Sequence, residues 1–224
     1  MEIRAVEQDK DDRKSYILYV YGEEEPVLTV HEDLLVRHRL LKGRVLTRSE
    51  LDDIGAENER YRAYALAVAY LGMKARTRRQ IEQYLQRKEL EADSIQYVLE
   101  RLETEHIVDD EEYAKQFAMQ KIRYSQKGRL WIKQELQQRG VSKQAAAQAA
   151  ESIDKESELD AALSAARKKW RTLKGEDYDR KRKLTAFLLR RGFPGSVARE
   201  AVQAAVRESE MTEDEEDDGQ MLDN

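Results

Sequence analysis

The sequence predicts a mainly α-helical protein, a tandem, elongated and curved array of three three-helix modules preceded by a small antiparallel β segment. Three observations carry that expectation. A helical i, i+4 apolar pair recurs as Ile81/Leu85, Ile132/Leu136 and Leu184/Leu188, at intervals of 51 and 52 residues. Each pair runs into cations, a turn residue, one apolar residue and a second helical stretch: Arg87-Lys88-Glu89-Leu90, Arg139-Gly140-Val141 and Arg190-Arg191-Gly192-Phe193. Composition agrees, with 38% charged residues and two prolines, a profile of helices with large solvated faces.

The β segment comes first. Residues 3–8 alternate in polarity, Tyr16-Ile17-Leu18-Tyr19-Val20-Tyr21 is an apolar run rich in β-formers, and Val27-Leu28-Thr29-Val30 is another; Gly22 and Pro26 bound the turn between the last two. A helix is expected over 32–41, stopped by Gly43. Three strands and one helix are too few to stand alone, so this segment (1–56) is expected to dock on module one.

Helix starts are marked by Thr47-x-x-Glu50, Thr77-x-x-Gln80, Asp93-x-x-Gln96 and Asp109-x-x-Glu112, each the spacing at which a cap and the third helical residue satisfy one another. Module one (57–108) is expected to hold helices over 57–73, 78–88 and 94–103, with Tyr64, Val68 and Leu71 inward on the first. Module two (109–155) is expected to hold 111–124, 130–139 and an alanine-rich 143–153, whose neighbours must pack close to its backbone. Module three (156–207) takes 158–173, 180–190 and 197–206, with a longer loop over 172–179.

Catalytic chemistry is poorly supplied. Cys is absent, which removes thiol nucleophiles, disulfides and cysteine zinc sites and fits a reducing cytoplasm. The three histidines have no metal-ligand spacing, no glycine-rich phosphate loop exists, and Asp109-Asp110 suits a helix N-terminus. No enzyme activity, metal or cofactor is expected. No apolar run reaches the ~20 residues needed to span a bilayer and no signal-peptide core is evident, so a soluble cytoplasmic protein, most simply a monomer, is expected.

Charge is unevenly placed. Residues 208–224 hold nine acids and no base, and the body without them has 36 acids against 40 bases. This tail (208–224) is expected to be disordered, serving either as a solubility segment or as a phosphate mimic competing for the basic face. Cations cluster at matching module positions. Lys74, Arg76, Arg78 and Arg79 surround the turn into the second helix of module one; Lys127, Arg129 and Lys133 take that place in module two, and Arg180, Lys181, Arg182 and Lys183 in module three. Arg87 and Lys88, Arg139, and Arg190 and Arg191 recur at the end of the same helix. Helix-end cations also complement the dipole, whereas those before a helix start do not. Repeated clusters suit a repeating anionic partner, a nucleic-acid backbone or a protein filament around one. Tyr124 and Trp131 flank the second cluster, positioned either to stack on bases or, for Trp131, to pack in the core.

Arg101-Leu102-x-x-x-x-Ile107-Val108-Asp109-Asp110-x-x-Tyr113-Ala114-x-x-Phe117 closely resembles the module junction of the RecX family of recombination regulators. Lys127-Gly128, Ile132-x-x-x-Leu136, Arg139-Gly140-Val141 and the three-fold repeat extend the likeness. Val30-x-x-Asp33-Leu34 and Lys42-Gly43 resemble the longer N-terminus of Gram-positive members, and only the acidic tail falls outside. His106 and Glu89 stand where the family pattern has Gly, at helix ends where Gly is favoured. The resemblance implies a non-enzymatic modulator of the recombinase RecA in homologous recombination, DNA repair and the SOS response. Such a protein binds the RecA filament on single-stranded DNA and restrains its growth, ATP hydrolysis and strand exchange. A direct single-strand-binding protein acting without RecA is the alternative.

Overall fold

The computed structural model describes the backbone of residues 1–221 and the side chains of residues 1–211. Strands β1 (Ile3–Gln8), β2 (Ser15–Val20) and β3 (Leu28–His31) form one antiparallel sheet in the order β1-β2-β3, with an irregularity in register between Ile3 and Ala5. Its buried side chains Ile3, Leu18 and Val30 join Leu34, Leu40, Leu46, Leu51 and Ile54 in one cluster. The edge strand β3 is not left open. The Asn58 amide donates to Thr29 O and accepts from the His31 N–H, both at 2.9 Å, satisfying backbone groups an edge would expose.

Helix α1 (Glu32–Arg37) is shorter than the expected 32–41. Arg39 is left-handed at φ 49°, with Arg39 N–H on Val36 O and Leu40 N–H on Leu35 O, a Schellman end that turns Leu40 into the core. His31 caps one end of α1 and His38 the other. Helix α2 (Arg48–Met73) starts at the Thr47/Glu50 capping box and runs unbroken past residues 56 and 57, so the sheet and module one share a helix. Residues Met1–Arg76 and Ile81–Ile107 form one compact unit.

The inward face of α2 differs from expectation. Ala63 and Ala67 are fully buried, while Tyr64 is half-buried and Val68 exposed, and α2 packs on α4 (Ala92–Thr104). Between them in sequence lies α3 (Arg78–Gln86), entered through the Thr77/Gln80 capping box. Glu91, not Asp93, stands at the cap of α4, without a side-chain bond. The chain has already turned at left-handed Glu89 and buried Leu90, so the helix begins earlier and Asp93 falls in its first turn.

The second unit comprises Thr77–Gln80 and the chain from Val108 onward. It contains α5 (Asp110–Ser125), α6 (Arg129–Gln138), α7 (Lys143–Glu151), α8 (Lys155–Trp170), α9 (Asp177–Arg190) and α10 (Gly195–Met221). Ala145, Ala146, Ala149 and Ala150 of α7 are buried as expected, and α8 repeats the device with Ala161, Ala162, Ala165 and Ala166. One continuous core joins modules two and three. The acidic stretch begins within α10: Arg167 forms two 2.6 Å bonds to Glu208, and Trp170 Nε1 donates to Ser209 Oγ at 2.9 Å. The side chains of 212–224, on which most of the tail expectation falls, lie outside the described residues. Among the described residues no helix is long and apolar enough to cross a membrane.

Candidate basic interface

The recurring helix starts and ends of the modules meet inside the second unit. The buried Thr77 hydroxyl donates to Arg139 O at 2.6 Å, and the Arg78 N–H donates to Asp110 Oδ1 at 2.8 Å. One repeat later, at the place of Thr77, the Gly128 N–H donates to Arg191 O at 2.9 Å and the Leu130 N–H to Gly192 O at 3.0 Å. Arg129, in the place of Arg78, sends its N–H and its Nε to Glu158, at 2.9 and 2.5 Å. Glu158 is fully buried and Arg129 about one quarter exposed. The starts of α3 and α6 thus each grip the end of the next module's second helix.

Glycine at those ends has two causes. Gly140 (φ 94°) and Gly192 (φ 84°) occupy the left-handed region that a Schellman end requires. Each also lies against the preceding module: a Cβ on Gly140 would overlap the Arg79 side chain, and one on Gly192 would overlap the backbone of Trp131.

This geometry divides the candidate cations. Arg139 bonds to Glu135 and the Tyr113 hydroxyl and lies 4.7 Å from the Phe117 ring centre. Arg191 donates to the carbonyls of Gln126 and Ser125, and burial pushes its guanidinium below the usual arginine range. Together with Arg78 and Arg129, these residues hold the junctions.

A second group sits over aromatic rings at the entrance to each second helix. Arg76 covers Tyr70 at 4.1 Å, Lys127 covers Trp131 at 4.6 Å and Arg180 covers Trp170 at 3.7 Å, contacts that hold the cation by the ring's negative face. Burial, followed by repulsion from Arg191 and Lys121, lowers the Lys127 ammonium below the usual lysine range. Trp131 packs partly buried against the core.

The third group faces solvent: Lys74, Arg79, Arg87, Lys88, Lys181, Arg182, Lys183 and Arg190, with Lys133 half-buried. Tyr124 is 76% exposed. Exposed Tyr178 shares a face of α9 with Lys181 and Arg182; its position within a basic block was the signal that could have marked it. Among the described residues no cluster of His, Asp or Glu could hold a metal ion.

Tandem three-helix modules, the second and third sharing one core and each with a cation at the entrance to its second helix, define a helical repeat protein. Three family models match in order: RecX, first three-helix domain over residues 63–102, second over 109–149 and third over 156–202. The regulatory protein RecX of Halalkalibacterium halodurans is 30% identical over 202 residues, 89% of this chain and 76% of that protein. That of Staphylococcus epidermidis is 28% identical over 215 residues, 96% of this chain and 78% of that protein. A crystal structure of regulatory protein RecX superposes with a TM-score of 0.70 at 25% identity, covering 88% of this chain and 96% of that one. RecX from Lactobacillus salivarius shares the fold, with a TM-score of 0.62 at 22% identity over 66% of this chain and 97% of that one. The chain belongs to the RecX family, a family of regulators rather than enzymes.

Proposed function

We propose that this protein binds the RecA filament on single-stranded DNA in the cytoplasm, as a monomer, and restrains filament growth, ATP hydrolysis and strand exchange. The observation that carries this reading is the recurrence of cations at the same helix entrance and helix end in all three modules, which suits a partner that repeats along its length. Several weak contacts, joined through one chain, raise one another's effective concentration. The exposed group, Lys74, Arg79, Arg87, Lys88, Lys181, Arg182, Lys183 and Arg190, supplies contacts to the anionic partner. The junction group keeps the modules in register.

The test is RecA ATPase activity on single-stranded DNA with this protein titrated into preformed filaments. Inhibition well below one copy per RecA supports a regulator acting on the filament. Inhibition only at ratios that coat the DNA supports competition for single strands, and no inhibition at any ratio removes the proposed activity.

A further inference from the structure

Between α5 and α8, floored by the end of α7, runs a groove of about 780 Å³, within the size range of well-formed binding sites. Its depth follows from the small residues of α8. Ala161 leaves space that Ile122 and Ile153 line without filling, and Gln126 closes one end through a 2.7 Å bond to Ser164. Met119 stands at the mouth, 63% exposed. An unbranched thioether over an apolar floor is the kind of side chain that adapts to a partner, and nothing in the junctions described above uses it.

The walls carry opposite charge. Lys115 and Arg123 line the groove from α5, one on either side of Met119 along a single helical face. Asp154, which caps α8, and Asp160 within it line the other side. The hydrogen bond Asp154 accepts from the Ser157 N–H, 2.7 Å long, holds its carboxyl below the usual aspartate range. The carbonyl end of α7 adds negative potential on the same side.

A nucleic-acid backbone would meet those carboxylates, and an apolar floor offers it nothing. We propose that this groove docks an amphipathic helical segment of a protein, its apolar ridge seated over Met119 and Ile122, its acidic edge toward Lys115 and Arg123, its basic edge toward Asp154 and Asp160. Helix-in-groove recognition of this kind takes affinity from the ridge and orientation from the edges. Resting on the filament reading above, the segment belongs to the RecA subunit, and the groove is where protein rather than DNA is recognised.

The experiment compares the full-length chain with Met119→Glu and with the double variant Lys115→Glu/Arg123→Glu, on preformed RecA filaments and on the same DNA uncoated. All altered side chains are exposed, and thermal unfolding is the control that each variant folds. The expected result is an affinity for the coated strand at least about tenfold weaker in both variants, with uncoated-strand binding unchanged. Undiminished binding to the coated strand by both variants overturns the groove while leaving the filament reading intact. Equal losses on coated and uncoated DNA assign the groove to nucleic acid and overturn it likewise. Tighter binding by the variants means that a segment of this chain occupies the groove, which also overturns it. A wild-type chain indifferent to the RecA coat overturns the groove and the filament reading together.

Discussion

The two junctions gripped by Thr77 and Gly128 use one design at different closeness. At the first, a threonine hydroxyl spans the gap to Arg139 O, and Gly140 lies against the side chain of Arg79. At the second, Gly128 has no side chain to reach across: its N–H meets Arg191 O directly, and Gly192 lies against the backbone of Trp131. The acid that accepts the next N–H changes in step, from partly exposed Asp110 to fully buried Glu158. A charge out of water stabilises only while its partner stays in place. The tighter junction is therefore also the more fragile one.

The largest expected effect follows from that asymmetry. Glu158→Ala leaves the Arg129 Nε and backbone N–H without their acceptor, the guanidinium keeping only Ile153 O, and is expected to cost about 3–5 kcal/mol. Asp110→Ala at the looser junction is expected to cost about 1.5–3 kcal/mol. Urea unfolding of the two variants checks the order, and equal losses would break the comparison.

Next come the glycines. Gly192→Ala must adopt a left-handed backbone and push back a main chain, at an expected cost of about 2–5 kcal/mol. Gly140→Ala meets only a side chain and should cost less, as the midpoints of their thermal transitions will report.

The smallest effect has the opposite sign. Glu89 holds the same left-handed place in module one, at φ 58°, on an exposed turn. Only the conformational penalty remains there, so Glu89→Gly is expected to stabilise the protein by about 0.5–1 kcal/mol. A rise in unfolding midpoint checks it; destabilisation would mean that Glu89 makes a contact outweighing its strained backbone.

Much of this architecture was legible because it repeats. All six residues of the recurring pair, Ile81, Leu85, Ile132, Leu136, Leu184 and Leu188, are fully buried, and the three turn residues after them all have positive φ. The inward face of α2 was not legible. Alanine is too small to stand out in a hydrophobic pattern, so Tyr64 and Val68 drew the eye while Ala63 and Ala67 did the packing. Nor could the cations be sorted. The positions of Arg129 and Lys183 look alike in the chain, but Arg129 meets a carboxylate 29 residues onward in the fold, and pairing at that separation leaves no local trace. Met119 carries no mark in the sequence for a related reason: its groove exists only where α5, α7 and α8 come together.

The division of the cations into those that hold the modules and those that meet the partner is tested most directly by neutralising the exposed cluster of module three. Lys181, Arg182, Lys183 and Arg190 are changed together to Ala, and unfolding midpoint and affinity for the RecA-coated single strand are measured across salt concentration. The account predicts an unchanged midpoint, an affinity at least about tenfold weaker and a shallower salt dependence, as fewer counterions are released. Undiminished affinity with the same salt slope would contradict it.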